Sequence, residues 1–529
     1  MVDPDAVVIG AGPNGLVAAN LLADAGWRVL VLEAQPAPGG AVRSDRGLDP
    51  DYVHDLFSAF YPLAAASPVI RRLGLEQHGL SWSRAPAVVA HPRQDGRCAV
   101  LAADPQATAA SLDAFAPGDG AAWERLYALW EKIGADVLDC LFTPFPPARA
   151  GLRLAARLGY GQGLGVARTM LLPARRLGEE EFTGDGGRLL IAGNALHADL
   201  APESALGGGF GWLMCMLGQQ YGFPVPRGGA GALTDALVRR LTARGGVLRC
   251  GQPVAEVVVR GGRAVGVRTE DGTPVPARRA VLADVPAPLL YGRLLPLDQL
   301  PERVRAGLRR FQWDFSTVKV DWALSRPIPW RAEGPRTAGT VHLADSVDEL
   351  TLFAAQIATR HVPATPFAVL GQMTTADPTR SPAGTESAWA YTHVPQHITG
   401  DAGPDGITGR WDERDRQAIA DRLEAQVERY APGFTATIRA RRVLTPPDLE
   451  RLNPALVGGA INQGTTQIHQ QLVFRPVPGT GRPGTPIAGL YLASATAHPG
   501  GGVHGAPGAN AARTALRAQR LRLLRRPRR

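Results

Sequence analysis

The chain opens with two short apolar runs that flank a helical pattern. Residues 6–9 (AVVI) and 29–32 (VLVL) are unbroken apolar runs, which are typical of strands buried on both faces. Residues 16–25, between them, are rich in Ala and Leu and precede a glycine, which predicts a helix that ends there. The pattern therefore predicts a strand–helix–strand unit with parallel strands.

Similar patterns recur in the middle and at the end of the chain. An amphipathic helix is expected to end near Arg244, and short strands are expected at 247–249, 254–259, 264–268 and 280–283. Taken alone, these strands predict an ordinary β-meander. Residues 489–493 predict a strand, 494–508 a glycine-rich loop and 509–524 a helix. Residues 205–218 carry no charged side chain, but the stretch is too short to cross a membrane, so we expect a buried helix there.

The turn after the first strand carries a GxGxxG motif that predicts a dinucleotide site. In this motif Gly10 permits the tight turn, Gly12 lets the backbone approach a pyrophosphate, and Gly15 lets the helix pack closely. The helix N-terminus offers free N–H groups to phosphates. Glu33 ends the second strand, where its carboxylate can accept hydrogen bonds from both hydroxyls of an adenosine ribose. The motif does not separate NAD from FAD.

A second glycine run, at 500–502, precedes the last helix. Consecutive glycines before a helix expose N–H groups to a bulky or anionic group. In a flavoprotein that group is the isoalloxazine ring, whose N1–C2=O edge gains negative charge on reduction and is stabilised by a helix N-terminus.

These blocks together resemble the phytoene desaturase-like flavoproteins, over nearly the whole chain. The resemblance is carried by the N-terminal block, by Gly39-Gly40 and by HPGGGVHGAPG at 498–508. It implies FAD, bound without covalent attachment, in a fold shared with the amine oxidases. It also implies that the Gly39-Gly40 pair lies along the pyrophosphate and that the backbone of Val254 contacts the adenine. The chain departs from the family pattern at Ser494, where the family usually has Gly, and at Ala497, where it usually has Thr. The amine oxidases also have an arginine directly after the glycine pair, whereas here Ala41 follows the pair and the arginine comes later, at Arg43.

The expected FAD-binding residues combine the motif and the resemblance. They are Gly10, Ala11, Gly12, Pro13, Asn14, Gly15, Glu33, Ala34, Gly39, Gly40, Arg43, Val254, Ser494, Gly501, Gly502 and Val503.

The resemblance also predicts an α/β fold with a discontinuous domain organisation. A Rossmann-like FAD-binding domain of the glutathione-reductase type is expected at 1–75, 226–290 and 481–529. A mixed-sheet α+β substrate domain is expected at 76–225 and 291–480. Within it, residues 148–176 interleave Leu and Arg. They predict either a helical lid that meets a membrane or a lipid substrate, or an ordinary surface helix.

Lys319 is the candidate catalytic residue. Of the 57 Lys and Arg residues only Lys132 and Lys319 are lysines, and Lys319 lies in the strand pattern STVKVDW. In the amine oxidases, which this segment resembles, a lysine at the same topological point holds a water at flavin N5. The alternative is a lysine on the polar face of an edge strand.

Several other polar residues are candidates for a role in the flavin pocket or in a metal site. Gln470, Gln471 and Arg475 resemble a family segment near the flavin and are expected to line the pocket. His504, beside the last helix, is expected to satisfy backbone groups, and His498 is not required as an acid or base. His197, Asp199 and Glu203 have a spacing that fits no standard metal site, so no metal is expected.

Composition and charge narrow the function classes. The net charge is +9, but residues 517–529 hold seven arginines and no acids, which leaves +2 for the rest and argues against a nucleic-acid binder. That tail is either a solvated helix end or a weak anchor for an anionic membrane. The four cysteines are widely spaced, so no dithiol motif is present. The N-terminus lacks a leader pattern, and a cytoplasmic location with possible peripheral membrane contact is expected.

The sequence therefore predicts an FAD-dependent oxidoreductase. It is expected to remove hydride from a small apolar or amine-bearing molecule, as a desaturase or dehydrogenase does. No second dinucleotide motif is present for NAD(P)H, so oxygen or a quinone is the expected electron acceptor. No obvious aromatic pair indicates an amine cage. The alternatives are a flavin-dependent isomerase or saturase, and a non-catalytic lipid- or protein-binding module on the fold shared with Rab GDP-dissociation inhibitors.

Overall fold

The computed structural model describes residues 3–524 of the 529-residue chain. Its strands are β1 (Ala6–Ile9), β2 (Val29–Leu32), β3 (Ser44–Asp45), β4 (His54–Asp55), β5 (Trp82–Ser83), β6 (Ala87–Pro92), β7 (Cys98–Ala102), β8 (Val225–Pro226), β9 (Val247–Arg249), β10 (Val254–Arg260), β11 (Arg263–Thr269), β12 (Pro274–Pro276), β13 (Ala280–Ala283), β14 (Ser316–Leu324), β15 (Ala338–Leu343), β16 (His361–Val362), β17 (Ala368–Gln372), β18 (Glu386–Val394), β19 (Gly400–Asp401), β20 (Ile438–Leu444) and β21 (Leu490–Leu492).

The α-helices connect and cover these strands. They are α1 (Pro13–Asp24), α2 (Pro62–Ala66), α3 (Pro68–Arg72), α4 (Pro105–Asp113), α5 (Asp119–Phe142), α6 (Ala148–Leu171), α7 (Ala174–Glu181), α8 (Asp185–His197), α9 (Gly207–Tyr221), α10 (Gly231–Ala243), α11 (Ala287–Gly292), α12 (Glu302–Leu308), α13 (Val347–Ala358), α14 (Met373–Ala376), α15 (Glu413–Tyr430), α16 (Pro446–Leu452) and α17 (Ala506–Leu524).

A five-stranded parallel sheet has the order β21-β13-β1-β2-β9. Both apolar runs at the start of the chain are strands of this sheet, with the predicted bounds, and Ala6 lies opposite Val29. All residues of β1 and β2 are buried, as expected for strands covered on both faces. Helices α1, α10 and α17 cover one face. The carboxyl ends of β1, β2, β13 and β21 therefore meet at one edge, where ligands of parallel sheets bind.

The strands expected in the middle of the chain divide between two sheets, so the meander alternative describes only part of them. β9 and β13 join the parallel sheet, and only β10, β11 and β12 form a separate antiparallel sheet. Sequence spacing could not separate these sheets, because strands adjacent in sequence pair here with partners more than 200 residues away.

The second large sheet is mixed and has the order β20-β14-β18-β17-β15-β6-β7. The strand of Lys319, β14, pairs with β18 on one side and β20 on the other, and all nine of its residues are buried. The edge-strand alternative for Lys319 is therefore wrong.

Helices α5 to α9 pack over the mixed sheet. The predicted buried helix at 205–218 is α9, whose Trp212 is fully buried. Residues 148–176 fall in α6, which is kinked at Gly159 (φ 66°, ψ 179°), and in the start of α7. Within residues 3–524 no helix has both the length and the apolar character that a bilayer crossing requires. The last five residues of the arginine-rich tail, 525–529, lie outside the described residues.

Candidate functional site

One cavity of about 660 Å³ extends from the edge of the parallel sheet to the mixed sheet. One part of its wall comes from the GxGxxG turn, from Glu33 and from the C-terminal glycine run. The opposite part comes from α9, β14 and β18. The cavity therefore brings both chemically distinctive ends of the chain together with Lys319.

Eleven of the sixteen expected FAD-binding residues lie in this wall: Gly10, Gly12, Pro13, Asn14, Glu33, Ala34, Gly40, Val254, Gly501, Gly502 and Val503. The remaining five do not line the cavity: Ala11, Gly15, Gly39, Arg43 and Ser494.

Glu33 braces the glycine turn. Its carboxylate accepts hydrogen bonds from the N–H of Ala11 (2.7 Å) and the N–H of Gln35 (2.9 Å). Gly10 has a φ of 91°, which is in the left-handed region that side chains disfavour. A side chain at Gly15 would collide with the carbonyl of Gly10. The turn therefore requires glycine for its conformation at one position and for close helix packing at the other.

Asp284 is a site residue that sequence reasoning missed. It follows β13, and its carboxylate accepts a hydrogen bond from the N–H of Gly15 (2.8 Å). A Cβ on Gly12 would lie 2.6 Å from the same carboxylate. Burial raises the pKa of Asp284 to about 7. The argument used for Glu33 could have found it, since an acid follows a short apolar strand in both cases, but only the sheet order places β13 beside β1.

The glycine-turn end of the cavity fits a dinucleotide. Glycines 10, 12 and 40 leave its floor without side chains, and Gly40 packs against the Cα of Gly12. The side-chain oxygen of Asn14 is buried without a partner and lies in this wall. The N-terminus of α1 faces the same space, so the backbone there can bind the pyrophosphate and Glu33 the ribose.

The C-terminal glycine run forms the wall next to that floor. Gly500 and Gly502 have φ values of 116° and 93°, and the run leads into α17. A side chain at Gly508 would collide with the carbonyl of Asn14, so α17 crosses α1 at close range. Ser494 is buried and its hydroxyl bonds to Thr496, which in turn accepts the N–H of Ala287.

His504 and His498 satisfy backbone groups. His504 accepts the N–H of Ala506 through Nδ1 and donates to the carbonyl of Gly501 through Nε2, which confirms the role expected for it. His498 donates to the carbonyl of Thr143. Burial lowers the pKa of each to about 4, so both imidazoles are neutral at pH 7.

Arg43 points away from the cavity. Its guanidinium donates to the carbonyls of Gly40 and Leu452 and lies 5.3 Å from the centroid of the Phe57 ring. In this arrangement it supports the backbone of the Gly39-Gly40 turn.

Lys319 lies in the wall opposite the glycine turn. Its ammonium donates to the carboxylate of Asp321 and to the carbonyl of Asp55 (2.9 Å). Arg442 donates to the other oxygen of Asp321. Burial lowers the pKa of Lys319, while the neighbouring Asp321 opposes that change. The lysine is thus held rigidly at the cavity surface, 5.8 Å from the Trp389 ring centroid.

Trp389 and Tyr391 form an aromatic pair that sequence reasoning did not identify. They are two residues apart on β18, so both side chains lie on the cavity face. Their rings are 6.0 Å apart and 11° from parallel. A side chain at Gly371 would collide with the indole of Trp389, so the small residue on β17 makes room for it.

His197 also lines the cavity, and two further histidines lie behind it. Its Nδ1 lies 3.1 Å from Nε2 of His342, and the His342 ring lies 6.0 Å from that of His91. Burial lowers the pKa of His197 to about 4. Asp199 pairs instead with His393 (2.8 Å). In the described part of the chain, no three His, Cys, Asp or Glu side chains are grouped so that they could hold a metal ion.

Gln470, Gln471 and Arg475 do not line the cavity. Gln470 bonds to the backbone of Gln312, and Gln471 donates to the carbonyl of Thr465. Arg475 lies behind the loops that form the wall.

Comparison with known proteins agrees with this arrangement. Residues 14–515 match the model of the family described as flavin-containing amine oxidoreductase. The chain is 30% identical to mouse (Mus musculus) pyridine nucleotide-disulfide oxidoreductase domain-containing protein 2, over 97% of this chain and 93% of that protein. It is 27% identical to the lycopene-forming phytoene desaturase of Pseudescherichia vulneris, over 94% of this chain and 96% of the desaturase. Cyclohexylamine oxidase from Brevibacterium oxydans has a similar fold, with a TM-score of 0.58 and 16% identity over 99% of this chain and 100% of that one.

Proposed function

The chain belongs to the flavin-containing amine oxidoreductase family and is an FAD-dependent oxidoreductase, and from this premise we propose that it oxidises a small, mainly apolar organic molecule. The observation that carries the proposal is the continuous cavity that joins the glycine turn to an apolar wall. The residues of the glycine-turn end would hold FAD, and the bound cofactor would supply the two-electron acceptor for a substrate C–H bond. Oxygen or a quinone is the proposed electron acceptor.

The wall of the substrate end favours an uncharged ligand. Its apolar members include Phe60, Leu63, Leu141, Phe210, Leu213 and Met214. The cation of Lys319 repels an ammonium group. The nearby carboxylates are already engaged, Asp321 by Lys319 and Arg442, and Asp199 by His393 and Asn462. Carbon–carbon desaturation is therefore the favoured reaction, as in the phytoene desaturase relative.

Amine oxidation is the second candidate, and one observation favours it. The parallel rings of Trp389 and Tyr391 present aromatic surface to the cavity, and such surfaces attract the cationic or neutral form of an amine. Trp389 already lies beside the Lys319 ammonium, however, which reduces its capacity to attract a second cation.

We assign Lys319 the role of positioning a water against the cofactor. The support is its burial, its fixed geometry and the resemblance of its strand to the amine oxidases. The backbone groups of residues 501–503 are proposed to bind the ring edge that gains negative charge.

An anaerobic reduction assay tests the proposal. Purified holoprotein is mixed, without oxygen, with acyclic isoprenoid hydrocarbons in detergent or with primary monoamines, and the visible flavin absorbance is followed. Bleaching by the hydrocarbons supports desaturation, and bleaching by the amines alone supports the second candidate. Substrate conversion without bleaching and without an acceptor indicates isomerisation or saturation. A protein that stays colourless after FAD addition would leave only a binding module.

Helix α6 is the proposed contact with a lipid surface. Leu152, Tyr160 and Leu164 are 72%, 86% and 57% exposed, and arginines 153 and 157 are half exposed on the same helix. The backbone of Met170 packs against Gly209 of α9, and α9 lines the cavity. An apolar substrate could thus enter next to the membrane.

Vesicle flotation tests this contact. The Leu152→Ser/Leu164→Ser double variant is expected to lose most of its binding to phosphatidylserine vesicles, because the inserted apolar area is removed. Leu352→Ser, at a leucine on α13 that is as exposed as Leu164, is the control and should bind as the parent does. Equal binding of all three proteins would contradict the contact.

A further inference from the structure

Arg475 is a fully buried arginine that lies behind the wall of the cavity. It follows a short turn at 472–474, and its side chain is 0% exposed. Its guanidinium donates hydrogen bonds to the carbonyl oxygens of Asn462, Gln463, Gly464, Thr465 and Ala495. It therefore ties the loop at 462–465 to the loop at 495–503.

The positive charge of Arg475 has no carboxylate in contact with it. All of its described partners in residues 3–524 are carbonyl oxygens, which satisfy its N–H groups without neutralising the charge. The side chain of Asp314 interacts with it electrostatically, and Asp314 accepts the N–H groups of Asn462 and Gly464 on the same loop. Burial lowers the pKa of Arg475 to about 10, so it is still a cation at pH 7. A buried cation is costly unless an opposite charge compensates it.

Only one layer of backbone separates this cation from the cavity. Asn462, Gln463 and Ala495, whose carbonyls accept from Arg475, all line the cavity. A Cβ on Gly500 would lie 3.3 Å from the guanidinium carbon. The cation lies, therefore, directly behind the glycine run.

We propose that Arg475 supplies the fixed positive charge that stabilises reduced FAD in this cavity and so raises its reduction potential. Hydride transfer oxidises a substrate C–H bond and brings two electrons and one proton to FAD, which leaves one net negative charge on it. A charge held beside the ring is a standard means by which a protein tunes a flavin. Because the charge is fixed by carbonyls before reduction, no reorganisation is required when the negative charge develops. The inference rests on FAD in this cavity and not on the identity of the substrate.

The test is a reductive titration of the purified holoprotein against an indicator dye, which requires no substrate. In Arg475→Gln the ratio of reduced to oxidised FAD at a given potential should fall about tenfold, which is a potential more negative by about 30 mV. Arg475→Lys keeps the charge and should shift the potential by less than half of that. Arg482→Gln, at an exposed arginine further along the same segment, is the control and should not shift it.

Two results with the Arg475 variants would overturn the inference. One is an unchanged potential in an Arg475→Gln protein that still binds FAD with a parental spectrum. The other is an equal shift in the Lys and Gln variants, which would mean that loop geometry and not charge sets the potential. If Arg475→Gln fails to fold, the Asp314→Asn variant provides the second test of the inference. Its potential is measured at about pH 8.5, where the Asp314 carboxylate of the parent is ionised. Loss of this negative charge should raise the reduction potential of FAD. An unchanged or lower potential in Asp314→Asn would also overturn the inference.

Discussion

The two opposite walls of the cavity are built by different means. The glycine-turn wall consists mainly of backbone from the first forty residues and from the glycine run at 501–503, with Asp284 added from a neighbouring strand. The opposite wall, which is the proposed substrate wall, consists of side chains from α9, β14 and β18, which lie far apart in sequence. Backbone walls depend on the absence of side chains, whereas side-chain walls depend on buried charge and packing. Substitutions should therefore damage the two walls in different ways.

The largest effect is expected from adding one methyl group to the backbone wall. In Gly15→Ala the new methyl collides with the carbonyl of Gly10, so FAD affinity should fall more than a hundredfold and stability by about 2 kcal/mol. Isothermal titration calorimetry with FAD measures the affinity, and urea unfolding measures the stability. Gly151→Ala, in an open position on α6, is the control and should be neutral or slightly stabilising. Normal FAD binding by Gly15→Ala would refute the close packing of α1.

The next effect concerns the buried charge of the substrate wall. Lys319→Met leaves Asp321 with only Arg442 as its charged partner and should lower the free energy of unfolding by about 3 kcal/mol. Reoxidation of the reduced protein by oxygen, followed by stopped flow, should slow at least about tenfold. Lys132→Met removes the other lysine, which is on the surface, and should change stability by less than about 0.5 kcal/mol. An Lys319→Met protein that loses stability but reoxidises at the parental rate would restrict Lys319 to a structural role.

Asp284 should make the backbone wall sensitive to pH. Its pKa is raised to about 7 in the folded state, so the folded protein retains a proton that the unfolded chain releases. The free energy of unfolding should therefore fall as pH rises from about 4 to about 7. Above pH 7 the ionised carboxylate repels the pyrophosphate, and FAD affinity should fall by up to about tenfold per pH unit. Asp284→Asn can still accept the N–H of Gly15 and should give a flat affinity profile. The same slope in both proteins would assign the titration to another group.

The smallest effect is expected at Arg43. Because it donates to backbone carbonyls behind the wall, Arg43→Gln should weaken FAD binding by less than about threefold. A tenfold loss, measured by fluorescence titration, would instead place the guanidinium on a phosphate and restore the role expected from the sequence.

The first wall was largely accessible from sequence because its interactions are local. The bounds of β1 and β2 and the position of Glu33 follow from patterns within thirty residues. The helix α1 begins three residues before the predicted start, since proline at its first position needs no N–H partner. Asp284 escaped detection because its role depends on β13 pairing with β1, which is a contact across more than 260 residues.

The sequence by itself determined the FAD-binding unit, the family and the chemistry class, since a helix start, a glycine turn and a strand-end acid act through neighbouring backbone. Only the tertiary structure decided which side chains form the opposite wall of the cavity. Lys319 lies on an interior strand, and Trp389 pairs with Tyr391 in the cavity wall. Arg475, which the sequence predicted in the pocket lining, lies behind that lining. The physical reason is that hydrophobic periodicity records whether a face is buried, but not which distant element buries it.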